Sequence, residues 1–305
     1  MAIRTSQPII VIGSINTDMV VRTDVLPRPG QTVLGGKFFM ASGGKGANQA
    51  VAAARLGGSV TMVGNVGADS FGEQAKRRLQ AEGIDCGFVT EDHEEPSGVA
   101  LISVDTAGEN HIVVAPGANN SLTNSHIDAA LASLDPDSLL LMQLEIPLEC
   151  VCHAIKLANH AGCNVILDPA PAQVLPPAVL KGVFLLTPNL TEAESLTGIV
   201  INSIEDAKIA VKKLVASGTK NVALTLGGAG VLLANSNGCE LIPAPLMQAV
   251  DTTAAGDCFN GALAAAFARN EPLFDAAVFA CSAAAISVTR IGAQESMPTW
   301  QELKR

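Results

Sequence analysis

A helix that begins on small residues, with an acid in its first turn, is the most chemically suggestive feature of this sequence. Residues 251–262 read Asp-Thr-Thr-Ala-Ala-Gly-Asp-Cys-Phe-Asn-Gly-Ala and run into an alanine-rich stretch that continues to Ala268. The first amides of a helix lack an intrahelical acceptor and sit at the positive end of its dipole, so together they form an anion site. Ala254, Ala255 and Gly256 leave those amides uncovered, and Gly256 allows a ligand to approach the backbone closely. Asp257 adds a carboxylate beside that site, where a general base for an incoming hydroxyl is useful. By residue type alone the plainer reading of Asp257, a first-turn acid favoured by the dipole, is the stronger.

Other fingerprints of nucleotide chemistry fail. Gly44-Lys45 is followed by Gly46 and Gly36-Lys37 by Phe38, so there is no G-x-x-x-x-G-K-[ST] loop. Gly44-Lys45-Gly46-Ala47-Asn48-Gln49 ends in Gln where a dinucleotide fingerprint needs Gly. G-x-S-x-G is missing as well, which lowers a serine-hydrolase reading. The five His form no H-E-x-x-H pattern, and Cys150-Val151-Cys152 is a lone C-x-C, so the seven Cys read as free thiols of a reducing compartment.

These residues need a body to hold them. The chain has 305 residues, and 48% hydrophobic against 16% charged composition is enough to bury a large core. A net charge of −10 (19 basic, 29 acidic residues) argues against nucleic acid or an anionic membrane as the main partner. An anionic substrate must therefore meet locally arranged donors. The first eight residues carry no signal-like apolar run, and the long uncharged stretch 221–239 is broken by Gly227, Gly228 and Gly230, so a cytoplasmic protein is expected.

Short apolar runs alternate with helix-forming segments along the chain. Strands are expected at 9–12, 59–63, 139–144, 164–167, 183–186 and 222–226, with helices at 48–56, 70–83, 148–161 and 203–217. Ser70 with Glu73 reads as a capping box, and Asp206 stands at a capping position. This alternation implies βαβ units, hence a parallel sheet with helices on both faces. Two stretches break the rhythm with β pieces alone: 19–21 and 32–34, then 98–104 joined to 111–114 by the turn-rich link 105–110.

The segments quoted first carry a family resemblance. Asp251-Thr252-Thr253-Ala254-Ala255-Gly256-Asp257 resembles the C-terminal signature of the ribokinase-type (PfkB) carbohydrate kinases, and Gly43-Gly44-Lys45-Gly46-Ala47-Asn48-Gln49-Ala50 resembles their N-terminal signature. The order fits, and the similarity runs from Gly13-Ser14-Ile15-Asn16 to Gly292-Ala293-Gln294. The resemblance implies one three-layer α/β domain over 1–305, with a central, mostly parallel sheet between helices. It also implies a small β lid from insertions at about 16–43 and 97–118.

It implies ATP-dependent phosphorylation of D-ribose at the 5-hydroxyl, with Mg²⁺ accompanying ATP and K⁺ as an activating cation. Asp257 matches the catalytic base, and the amides of Ala254, Ala255, Gly256 and Asp257 match the anion hole. Asn16, Thr17, Asp18, Gly44, Lys45, Gly46, Ala47, Asn48, Glu145 and Asp257 match the sugar pocket. Asn189-Leu190-Thr191-Glu192 matches a motif that supports Mg²⁺ and phosphate largely through water, although it also reads as a helix cap. The nucleotide positions are Asn189, Thr225, Leu226, Gly227, Gly228, Ala229, Gly230, Gly256, Asp257 and Cys281. Asp251, Thr253, Ser287, Arg290, Gly292 and Ser296 match the monovalent-cation ligands, mostly through carbonyls. Leu190 and Cys281 stand where the family often has polar residues, and with no Tyr in the chain adenine is expected between aliphatic groups.

Asn16-Thr17-Asp18 favours ribose over 2-deoxyribose, the nearest rival, because both polar side chains can address the 2- and 3-hydroxyls. Fructose or a nucleoside suits the compact pocket less well. A sugar-binding regulator on a dead scaffold would have no need of Asp257 beside an anion hole. The lid insertions imply a homodimer through lid-to-lid packing.

Overall fold

Side chains along the central strand alternate between two cores. In β1 (Pro8–Ile12), Ile9 and Val11 belong to one buried cluster and Ile12 to the other, with Ile10 packed against the second. A strand buried on both faces is what a parallel α/β sheet requires. The structure, a computed structural model, describes residues 6–132 and 134–304. The first five residues of the expected leaderless start, and the two ends of the 1–305 domain, lie outside the described residues.

After β1 come β2 (Asn16–Arg22), β3 (Lys37–Gly43), α1 (Lys45–Arg55), β4 (Ser59–Gly67), α2 (Ser70–Ala81), β5 (Asp85–Asp92), β6 (Gly98–Val104) and β7 (Asn110–Ala115). The middle of the chain forms α3 (Asn124–Leu131), β8 (Leu139–Met142), α4 (Leu148–Ala161), β9 (Asn164–Leu167), α5 (Pro177–Gly182), β10 (Leu185–Leu186), α6 (Leu190–Thr197) and α7 (Ile204–Ala216). The last third adds β11 (Asn221–Thr225), β12 (Val231–Asn235), β13 (Gly238–Ile242), α8 (Ala255–Ala268), α9 (Leu273–Ser287) and α10 (Trp300–Leu303). Among the described residues, nine strands form one sheet in the order β13-β12-β11-β10-β9-β8-β1-β4-β5, and four form a second, β3-β2-β6-β7. Only β12 and β13 run antiparallel to their neighbours in the large sheet. Helices α1, α8 and α9 cover one face, while α4 and α7 cover the other. Among the described residues no helix is long and apolar enough to cross a membrane. All seven cysteines are free thiols.

The expected elements are present, with local corrections. The 32–34 strand is a loop in which Leu34 is fully exposed, and β3 begins only after Gly35 and Gly36, both at positive φ. Asp69, not Ser70, caps α2: its carboxylate accepts from the amides of Phe71 and Gly72, while Glu73 turns to Arg77. Ser203, not Asp206, caps α7, and Asp206 accepts back from the Ser203 hydroxyl in the first turn. In both helices an oxygen one residue or one turn earlier reaches the free amides with better geometry.

In the small sheet, register separates two faces. Asn16, Asp18, Val20 and Arg22 of β2 share a face with Phe39, Ala41, Ile102 and Val104, because paired residues point the same way. This face lines a cleft of about 540 Å³ whose other wall is formed by the 250–253 and 291–293 segments, with Asp251, Thr253 and Gly292 among them. Met19, Val21, Phe38, Met40, Leu101 and Val113 form the opposite face, toward solvent.

Candidate active site

The chain crosses the site at the carboxyl ends of the parallel strands, where open α/β sheets bind ligands. Gly13 and Ser14 follow β1, Gln143 and Glu145 follow β8, Asp168 follows β9, Thr187 and Asn189 follow β10, and Gly227 follows β11. Helix α8 enters from the opposite side. Its preceding residue Ala254 takes the left-handed conformation (φ 56), which turns the chain sharply into the helix. A Cβ on Gly256 would meet no protein atom within 4 Å, so the first turn faces open space.

Close helix packing brings Asp257 to its partners. Gly261 is the contact point between α8 and α1: a Cβ there would lie 2.5 Å from the Gln49 carbonyl oxygen. With the helices this near, Asn48 Nδ2 donates to Asp257 Oδ2 at 2.9 Å and Gln49 Nε2 donates to Asp257 Oδ1 at 3.0 Å. Gln294 Nε2 in turn donates to Asn48 Oδ1 at 3.2 Å. Gly44, at φ 87, starts α1 where any Cβ would fall 2.7 Å from the Asn16 amide nitrogen. That close approach lets the Lys45 amide donate to Glu145 Oε2 at 3.1 Å, beside the Ser14 hydroxyl at 2.5 Å.

Charge is concentrated here. Lys45, Asp168, Asn189, Glu192, Asp257 and Asn260 line a cavity of about 200 Å³ below the first turn of α8. Burial alone would lower the Lys45 ammonium, but Asp257, Asp168, Glu145 and Glu192 hold it above its ordinary value. Burial pushes Asp168 well above the usual carboxylate range, against the pull of Lys45 and the Gln49 amide. Burial also raises Glu192, opposed by the Asn189 backbone and Lys45. Asp18 is pushed up to about 7, first by burial and then by the charges of Glu145, Asp257 and Glu295.

Next to this polar cavity is an apolar one of about 350 Å³, whose lining includes Thr225, Gly228, Gly230, Leu246, Cys281 and Val288. Gly256 lines both, and Thr252 lines these two and the cleft under the small sheet. Three compartments therefore meet at 252–257.

Not every expected residue takes part. Thr17 lies between Asn16 and Asp18 on β2, so alternation turns it to the other face of the small sheet. Ala47 is buried in the core against β1, and Gly46 backs onto Gly13. Leu226 packs against the second core; neither it nor Ala229 lines the apolar cavity. Asn189 lines the polar cavity, and it forms a capping box with Glu192 in which each side chain bonds the other's backbone amide. Asn16 is engaged by Asn119 Nδ2 at 2.7 Å.

Residues missed in the sequence are Gln49, Asp168, Gln143, Asn119, Thr187 and Asn260. Thr187 donates to Asn260 Oδ1 at 2.6 Å, and Asn260 Nδ2 donates to the Gly256 carbonyl at 3.0 Å, bracing the first turn. Gln49 and Asn260 lie inside the two quoted segments and so carried a signal. Asp168 and Gln143 follow short apolar strands, which is where this sheet class places ligand contacts.

Segments 250–253 and 287–296 are tied together: the amides of Val250 and Asp251 donate to the Val288 carbonyl, and Gly292 N donates to Asp251 Oδ2 at 3.0 Å. The Arg290 guanidinium pairs with Glu302 and Ser287 Oγ donates to the Ala284 carbonyl, so these two side chains are engaged elsewhere; what the two segments could offer a cation is backbone and carboxylate oxygen, the hard donors that suit an alkali ion. Asp168, Glu192 and Asn189 around one cavity fit a hydrated Mg²⁺ carried by phosphates.

Comparison with known proteins settles the family. Residues 6–300 match the model of the pfkB family of carbohydrate kinases. The chain belongs to this family. A ribokinase from Haemophilus influenzae is 42% identical over 96% of this pfkB-family chain and 95% of its own. A deoxyribokinase from Salmonella typhi is 37% identical, covering 96% of each. Among solved structures, Arabidopsis thaliana ribokinase complexed with ribose and ATP superposes with a TM-score of 0.90 at 30% identity, over 98% of both chains. The pfkB-family fold accounts for the large sheet with flanking helices and the separate small sheet.

Proposed function

We propose that this carbohydrate kinase transfers the γ-phosphoryl group of ATP to the 5-hydroxyl of D-ribose, giving D-ribose 5-phosphate and ADP. The observation that carries the reading is Asp257 in the first turn of α8, buried, with each carboxylate oxygen accepting one amide hydrogen. Such a carboxylate keeps a lone pair for the sugar hydroxyl and takes its proton as the oxygen attacks phosphorus. The bare amides at 254–257 stabilise charge on the transferring group, and phosphoryl transfer depends mostly on such positioning and charge stabilisation. Lys45 adds a cation on the other side of the polar cavity. The apolar cavity suits adenine between aliphatic groups, with Cys281 in its wall.

Asp18 and Glu145, with Asn16 and Asn48, supply acceptors and donors for the sugar hydroxyls, and a site built of paired polar groups penalises a sugar lacking one. The likeness to ribokinases from several organisms, one solved with ribose and ATP, supports ribose. The deoxyribokinase at similar identity makes 2-deoxyribose the second reading. Asn189 and Glu192 would hold Mg²⁺ through water, where it shields the phosphate charges. K⁺ on the carbonyls of 251–253 and 287–296 would fix the direction of the adjacent amides. The small sheet serves as lid, and its outward apolar face as the contact of a homodimer.

The test is coupled ADP release with Mg·ATP and ribose, 2-deoxyribose, fructose or adenosine, each with K⁺ and with Na⁺ alone. Ribose is expected to turn over fastest, and only with K⁺ at the full rate. Faster turnover on deoxyribose would transfer the assignment to the second reading, and equal rates in Na⁺ would remove the cation site.

A further inference from the structure

We infer that Gln49, which does not itself line the cavity, is a positioning residue for this reaction: it locks the Asp257 carboxylate in its proton-accepting orientation. Gln49 Nε2 carries two hydrogens and spends both on carboxyl oxygens, one on Asp257 Oδ1 at 3.0 Å and one on Asp168 Oδ2 at 2.8 Å. The amide end that meets the Asp257 carboxylate must be the NH₂ end, so the orientation of the side chain is fixed. Its carbonyl end is occupied too, accepting from Gln143 Nε2 at 2.6 Å. Gln49 and Gln143 are fully buried, Asp168 and Asp257 almost so.

These four side chains come from α1, the end of β8, the end of β9 and α8, and the network joins all four elements at the reacting carboxylate. A buried polar network is unfavourable unless its members are satisfied, and apolar residues would pack this seam as well. The one orphan of the network, Gln143 Oε1, finds no partner. The arrangement makes physical sense if its product is the direction of Asp257. Asn48 alone holds one oxygen and leaves the carboxylate free to rotate about it. Gln49 on the other oxygen removes that freedom, so the remaining lone pair faces the sugar.

The inference rests on the proposed reading only in giving Asp257 the proton. Its test uses whichever sugar of the panel the parent phosphorylates fastest, so a wrong sugar leaves it intact. Gln49→Met keeps length and burial but removes the donor. A misdirected base is expected to lower kcat by about 100-fold. KM for sugar and for ATP should stay within about threefold, because binding is untouched. A folded variant with kcat near the parent's, or a loss residing in KM, overturns the inference. If Gln49→Met does not melt cooperatively, Gln143→Met decides, since it frees only the carbonyl end of Gln49. About tenfold lower kcat at unchanged KM then supports positioning, and unchanged kcat overturns it. Asp257→Asn, run in parallel, tests the base itself: an active variant would sink that reading on its own.

Discussion

At the residue scale the site depends on what surrounds each carboxylate. Asp257 accepts two amide hydrogens, whereas Asp18 has burial and three like charges around it. Asp257→Asn should leave sugar binding near normal while turnover falls by about 10²–10⁴-fold, read by calorimetry and by ADP release. Asp18, raised to about 7, gives a pH signature. Between its ordinary value near 3.8 and 7 the folded state holds a proton that the unfolded state has lost, so this group's contribution to stability declines as pH rises through that window. Sugar hydroxyls donating to the carboxylate favour its ionised form. Sugar affinity should therefore rise between pH 5.5 and about 7 and level off above, and Asp18→Asn should flatten the curve. A flat titration of the parent would show that Asp18 does not meet the sugar as a carboxylate.

Elements matter through where they begin and how closely they cross. The start of α8 combines a left-handed turn at Ala254 with a glycine that leaves the amides open. Gly256→Ala should stabilise the fold by about 0.4–1 kcal/mol, because its conformation suits alanine. The added methyl would stand in the cavity over the anion site, so kcat with ATP should drop although Tm rises. A variant that is both more stable and fully active would mean that phosphate does not approach the Gly256 face. The α1–α8 crossing at Gly261 acts on the same site from behind, setting the reach of Asn48 and Gln49.

The whole molecule contributes the cleft between the small sheet and the 250–253 and 291–293 segments. Register puts Asp18 and Arg22 on the inner face of the small sheet and Leu101 and Val113, each more than half exposed, on the outer. An exposed apolar sheet face of this kind marks an interaction surface. A second copy of the chain is expected to cover it, and light scattering at micromolar concentration should give the mass of a dimer. Leu101→Lys should give monomers with a folded large sheet. If the parent is already monomeric, the small sheet functions as a lid without an oligomeric role.

Local signals in the sequence determined a great deal. Apolar runs at strand length and helix formers between them prescribe the parallel sheet, because side-chain period and capping act over a few residues. α4 and β9 occupy the expected ranges, and the hairpin of β6 and β7 follows from its turn-rich link. Asp257 stood out locally only as an acid in a first turn after small residues; its reading as a base came from the family resemblance. Which oxygens and amides would surround it was decided only by tertiary structure. Gln143 and Asp168 are ordinary residues after short strands until the strand order places β8 and β9 beside β1. Thr17 and Ala47 sit inside matching motifs, yet strand alternation and core packing keep their side chains out of the lining of the three cavities. The charge state of Asp18 likewise depends on Glu145 and Asp257, distant in sequence and brought within electrostatic reach only by the tertiary fold. Long-range electrostatics and burial have no local sequence period, so no motif could announce them.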